Sequence, residues 1–321
     1  MAYHSPVRSP GTCSTLVVAS ISLISGCGGG ATADDGADPD AAVAADASVD
    51  AAIPDGYARL IGRSWSLAAG QADTYRCVRL TVAQDTYITA FQALAPLGTH
   101  HTVLSVRAGQ ANTDGEYDCA AGSLDMNMLY ASGVGTDSFA LPAGVGLQVR
   151  AGQQLNLNLH LFNASDQPIA GESAILVRAQ PTPPPVLAEM IFAGTFAINV
   201  PAGATRTVNG GCTLASGVRQ SLFALWPHMH QYATHQKVEL VRAGVPTTLL
   251  DAPYAFDEQS YYRKDPAVAV QGGDRIAVAC TYTNTSGQAI TFGDSSNQEM
   301  CFTGMYLYPA RGAGLFDCAQ F

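Results

Sequence analysis

Charge is scarce in this chain. Only 13% of its 321 residues are Asp, Glu, Lys or Arg, and the formal balance is −10 at neutral pH. There is no basic patch to displace counterions from phosphates, which argues against a nucleic-acid footprint. Much of the acidity is local: Asp34, Asp35, Asp38, Asp40, Asp46, Asp50 and Asp55 fall in one stretch, and the remainder is only mildly acidic. Also lacking is any Cys-x-x-Cys spacing among Cys77, Cys119, Cys212, Cys280, Cys301 and Cys318, so a zinc ribbon or a thioredoxin-type centre has little support. The apolar run at residues 15–24 is too short to span a bilayer as a permanent helix.

What is present is apolar material in short runs. With 47% hydrophobic residues, 32 Gly and 17 Pro, the chain can bury about two domain cores and favours strands and turns over long helices. The expected class is all-β. Runs at 78–82, 86–91, 101–106, 145–149 and 155–162 have the spacing of a β-sandwich, and a second series covers 195–200, 222–230, 236–242, 275–282 and 305–308. Between the two series lies the proline-rich stretch 181–185, a stiff spacer. Two tandem domains are therefore expected, at 57–180 and 186–321.

Residues 1–26 have the form of a secretory signal, with Arg8 ahead of the apolar run and small residues before Cys27. Ile24-Ser25-Gly26-Cys27 resembles a bacterial lipobox, in which the Cys becomes a lipidated N-terminus. Gly28 stands where an inner-membrane retention signal has Asp, which points to the outer membrane or cell surface of a Gram-negative-type bacterium, with the lipid as the only membrane contact. The Gly, Ala and Asp of 27–56 bury too little to offset the entropy of ordering, and this stretch is expected to be a flexible tether. In an exported chain, the six remaining cysteines suggest a disulfide framework whose pairing sequence alone does not choose. Any metal ligands then come from His, Met or carboxylates.

Such ligands exist in suggestive places. His228 and His230 are two apart in an apolar, extended segment, so in a strand they share a face. In Leu155 to Leu161 strict alternation puts four leucines on one side and Asn156, Asn158 and His160 on the other, expected to be the wetter side. His100 and His101 are adjacent and need a bulge or a strand end to meet one ion, and Leu97-Gly98-Thr99 supplies such a break. Met300 adds a soft thioether, which suits copper cycling between oxidation states and suits zinc badly. Each feature alone is more often structural; their combination is not.

Together these residues resemble the copper type II, ascorbate-dependent monooxygenases, the group of the peptidylglycine α-hydroxylating and dopamine β-monooxygenases. Thr99-His100-His101, Leu159-His160, Leu129-Tyr130-Ala131, Leu141 to Gly146, His228-Met229-His230 and Ser295 to Cys301 follow that family's motifs in order. The resemblance implies two jelly-roll-like β-sandwiches facing a cleft, and two copper ions. His100, His101 and His160 would hold an electron-transfer copper, and His228, His230 and Met300 a catalytic copper that binds oxygen. It also implies the pairs Cys77–Cys119, Cys212–Cys318 and Cys280–Cys301, and ascorbate or another one-electron donor beside O2 and a small-molecule substrate.

Departures bear on the substrate. An Arg that binds a peptide carboxylate in the peptide-processing relatives, two residues before the His-x-His, is Trp226 here. An Asn and a Tyr that follow the copper-binding Met are Phe302 and Gly304. An apolar or aromatic substrate is expected instead of a glycine-extended peptide. Tyr232 and His235 follow the motif closely enough to line the same cleft. The competing readings are a copper-handling lipoprotein without catalysis, a zinc hydrolase on the three histidines, and a binding module without chemistry.

Overall fold

The computed structural model describes residues 53–320 apart from 72, 121–125, 134, 135, 137, 257 and 259. The expected signal at 1–26, Cys27, and the tether as far as residue 52 lie outside the described residues. Every regular element within them is a β-strand, in agreement with the all-β expectation.

Three main sheets are formed. The longest runs in the order Ala58–Leu67, Ile169–Gln180, Thr86–Leu94, Val145–Val149, Val186–Thr195, Cys301–Tyr308, Arg219–His228 and Tyr262–Gln271. Its N-terminal and C-terminal halves are joined where Val186–Ala188 pairs in parallel with Val145–Leu147. The proline run 181–185 connects two of its strands, and Pro184 packs against Gly146, where an added Cβ would lie 3.0 Å from the ring. A five-stranded sheet belongs to the N-terminal half, in the order Gly115–Asp118, Thr74–Thr81, Gln154–Leu161, Thr99–Arg107 and Asn127–Gly133. A four-stranded sheet belongs to the C-terminal half, with Thr205–Thr213, Arg275–Thr283, Ala233–Arg242 and Val245–Pro253.

Two cores follow. One holds Phe91, Leu104 and Tyr130 of the N-terminal half together with Phe192, Trp226, Phe302 and Tyr306 of the C-terminal half. The other lies within the C-terminal half, around Leu222, Val238, Ile276 and Met305. Leu155, Leu157, Leu159 and Leu161 are fully buried, as the alternation predicts, each stabilising the fold by roughly 1.5–3 kcal/mol. The opposite face corrects the sequence reading. Asn156, Asn158 and His160 are 8%, 6% and 2% exposed, so this side is not wet. The cover is polar: Tyr117 donates to Asn156 Oδ1 at 2.7 Å, and Asn158 donates to the Ala120 carbonyl at 2.9 Å.

Other boundaries differ for local reasons. The run expected as one strand at 195–200 is broken, because the Thr195 hydroxyl accepts from the Ala197 amide and turns the chain. The strand expected to reach His230 ends at His228. Each half also closes one strand with the same turn. The Asn163 side chain binds the Ser165 amide and hydroxyl and the Gln167 carbonyl, and Asn284 does the same to Ser286 and Gln288. All three expected disulfides are present, Cys77–Cys119, Cys212–Cys318 and Cys280–Cys301.

Gly98 opens the strand that carries the histidine pair. Its φ is +101°, and an added Cβ would lie 2.7 Å from both Ile169 and Trp65 side chains. Gly98→Ala should therefore cost on the order of 2 kcal/mol or more, measured by urea unfolding; an unchanged midpoint would refute the steric argument.

Candidate metal centre

The expected break in the histidine-pair strand is a β-bulge. Thr99 pairs with Leu161 and His101 with His160, which leaves His100 as the extra residue. The bulge turns adjacent side chains toward one point. His100 Nδ1 and His101 Nδ1 are 3.2 Å apart, His160 Nδ1 and His101 Nδ1 are 3.4 Å apart, and the three ligand atoms lie within 4.8 Å of one another. A single Nδ1–H on His101 cannot point at both neighbours. Nor can a single lone pair there accept well from both, so the three nitrogens are not satisfied by one another, a deficit that a bound cation relieves. On its far side His160 Nε2 lies 2.9 Å from Asp73 Oδ1, and Tyr75 stacks on the ring at 4.6 Å.

The second set is built at the end of another strand. His228 closes Arg219–His228, and its ring centroid is 5.5 Å from that of His230. Met229 between them is buried in the C-terminal core, and its amide and carbonyl are both held by the Tyr254 hydroxyl, at 3.2 and 2.6 Å. His230 Nδ1 donates to the Gln298 carbonyl at 3.0 Å, which puts the ring's lone pair on Nε2. Met300 is fixed from several directions. Tyr282 donates to its carbonyl at 2.7 Å, the Cys280–Cys301 bridge follows it, and the buried Glu299 carboxylate accepts from the amides of His230, Tyr232 and Met300. Burial pushes the Glu299 carboxyl up to about 7, against the pull of those amides.

Both sets open onto one cleft of about 870 Å³, its mouth included, where His101, His228, His230 and Met300 all contribute to the lining. Trp226 and Phe302 line it too, with Phe192, Phe316, Met126 and Met128. Trp226 stacks on His228 at 4.9 Å. Phe256 stands between the sets, with ring centroids 4.5 Å from His100 and 6.1 Å from His230. Burial holds His101 well below the usual imidazole range, reinforced by His160, His100, His228 and His230. His160 is lowered by burial and by His100 against the pull of Asp73, and burial lowers His230 to about 4. These rings are neutral at pH 7 and have lone pairs to offer. Three imidazole nitrogens in one set, and two with a thioether in the other, are donors that fit copper.

Residues 187–318 match the family described as copper type II ascorbate-dependent monooxygenase, C-terminal domain. The match covers the C-terminal half of the described residues. Among curated proteins it is similar to peptidyl-glycine alpha-amidating monooxygenases A and B of Xenopus laevis, at 27% and 26% identity. Each alignment covers 78% of this chain but only 28% and 30% of the relative, so the chain spans less than a third of their length. Among solved structures, that of Broad Bean Stain Virus aligns with a TM-score of 0.30 at 9% identity, over 82% of this chain and 93% of that one, a likeness that supports no argument.

The two departures at Trp226 and Gly304 are neighbours. Trp226 pairs across the sheet with Gly304, and a Cβ at Gly304 would lie 2.5 Å from Met190 and 3.5 Å from Trp226. The Met190 methyl takes the space a side chain there would fill, with Trp226 in ordinary van der Waals contact beside it. Tyr232 and His235 are not part of the lining: the Tyr232 amide binds Glu299, and His235 pairs with Asp251 at 2.9 Å. Sequence reasoning missed Asp73, Glu299, Phe256 and Tyr75. Only Glu299 had a local signal, an acid next to Met300 in an apolar context.

A histidine with a depressed folded pKa contributes stability above its unfolded value and loses it as pH falls toward the folded one. Metal-free protein should thus be most stable above about pH 6.5 and lose on the order of 3 kcal/mol through His230 alone as pH drops toward 4. Thermal unfolding across that range checks this, and a flat profile would contradict it.

Proposed function

We propose that this chain is a copper-dependent monooxygenase that hydroxylates a C–H bond of a small apolar or aromatic molecule, using O2 and a one-electron donor such as ascorbate. The observation that carries the reading is that two chemically different donor sets, three histidines and His-x-His with Met300, line one aromatic-walled cleft. Copper bound there supplies one-electron redox chemistry and O2 activation that no side chain provides. His100, His101 and His160 would hold an electron-transfer copper, and His228, His230 and Met300 a copper that would supply the oxygen chemistry. Storage alone needs affinity, not two unlike sites on a shared cleft.

The chain's own residues define what enters. Phe192, Trp226, Phe302 and Phe316 present ring faces and edges, and Met126 and Met128 supply adaptable apolar surface. Phe256 adds an apolar ring beside both histidine sets. Among the described residues the lining includes Asp294 and no Lys or Arg, so a substrate carboxylate would meet no charge-assisted partner from them. Trp226, in place of the family's Arg, carries the same message. Residues 1–27 support placing the enzyme outside the cell on a lipid anchor at Cys27.

Copper-reconstituted mature protein should consume O2 in an ascorbate-dependent way with aromatic or aliphatic substrates and should leave glycine-extended peptides unchanged. Activity with zinc and without a reductant would sink the proposal, and two bound coppers without turnover on a broad panel would favour metal handling. Met300→Ala should lower hydroxylation by at least about 100-fold while the three-histidine copper stays bound by metal analysis, and full activity in that variant would refute the assignment.

A further inference from the structure

Asp73 belongs to no motif, yet it touches both halves of the cleft. It lies just before the strand Thr74–Thr81, with φ at +44°, a left-handed backbone that residues other than glycine adopt only against a steric cost. Its Oδ1 is 2.9 Å from His160 Nε2 and 3.2 Å from the Ser296 hydroxyl. A carboxylate can only accept, so the imidazole proton is on Nε2 and Nδ1 is bare. Nδ1 is the atom that faces His101 Nδ1 at 3.4 Å. Two residues on, Tyr75 is paired with His160 across the sheet and stacks on its ring with planes 5° apart. Residues 73–75 therefore hold one imidazole by its edge and by its face. Ser296 belongs to the segment that ends in Met300, so the same oxygen reaches the C-terminal half.

We propose that Asp73 is a positioning residue that fixes the ligating tautomer of His160 and registers the Met300 segment against the three-histidine set. The proposal rests on the copper reading above. The bland alternative is a surface contact, since the Asp73 side chain is 51% exposed. An exposed acid beside a neutral ring gains little by itself, which leaves the backbone conformation of Asp73 without a return unless the contact orients His160.

The proposal is testable before any metal is added. In metal-free protein with 15N-labelled histidine, two-bond 1H–15N correlations above pH 7 should show His160 as the Nε2–H tautomer. Asp73→Gly, which suits the positive φ while deleting the carboxylate, should populate the Nδ1–H form, and Asp73→Asn, which keeps an acceptor oxygen, should restore Nε2–H. Ser296→Ala should leave the tautomer unchanged. In competition with a Cu(I) chelator, Asp73→Gly should weaken the three-histidine site by about 10- to 100-fold and spare the site at His228, His230 and Met300. An Nδ1–H tautomer in the native protein, or a native tautomer and native affinity in Asp73→Gly, overturns the role of Asp73. Native protein that shows the Nε2–H tautomer but binds no copper at the three histidines refutes the functional reading and, with it, the metal-positioning purpose proposed for Asp73.

Discussion

The cleft depends on a sheet that does not stop at the proline run. Three residues of Val186–Thr195 hydrogen-bond in parallel to Val145–Val149, and through them the strands of one half become neighbours of the strands of the other. Main-chain pairing sets distances more firmly than side-chain packing does, because a slip of one residue would turn every side chain to the wrong face. The shared core confirms the arrangement: Phe192, Trp226 and Tyr306 pack with Phe91, Leu104 and Tyr130. One ligand set rides on the five-stranded sheet and the other on the tip of a strand in the long sheet. Neither half could move far without breaking that core.

Both sets solve the same chemical problem in the same way. A histidine offers a lone pair only if its proton is kept on the other nitrogen. His230 donates from Nδ1 to the Gln298 carbonyl and His160 donates from Nε2 to the Asp73 carboxylate, so the lone pair is on opposite nitrogens in the two cases. Burial then makes the charged form of each ring costly. On the proposed copper reading, both rings would meet an arriving ion uncharged.

Much of this was legible in the sequence, and the pattern of failure is physical. Strict alternation located the leucine strand, and a glycine before two adjacent histidines announced the bulge. The His-x-His and Met300 could be placed because ligand chemistry is specific about residue type. Asp73 could not be found that way: its partners His160 and Ser296 are 87 and 223 positions away, and no period connects them. The strand Tyr262–Gln271 was hidden by Pro266, which a central strand would not tolerate; it lies at the sheet's edge, where a missing amide costs little. The supposedly wet face of Gln154–Leu161 was misjudged because alternation tells which residues share a side, not what covers that side.

The matching Asn turns have a practical consequence for making the protein. Asn163-Ala164-Ser165 and Asn284-Thr285-Ser286 each spell an acceptor triplet for N-linked glycans. In the folded chain these asparagines are 3% and 1% exposed, with their amide nitrogens committed to backbone carbonyls. A sugar attached there during synthesis in a eukaryotic secretory pathway would occupy space the turns need, one at the end of the strand that carries His160 and the other at the end of the strand that carries Cys280. Production in a host without that pathway keeps both corners of the molecule free to close.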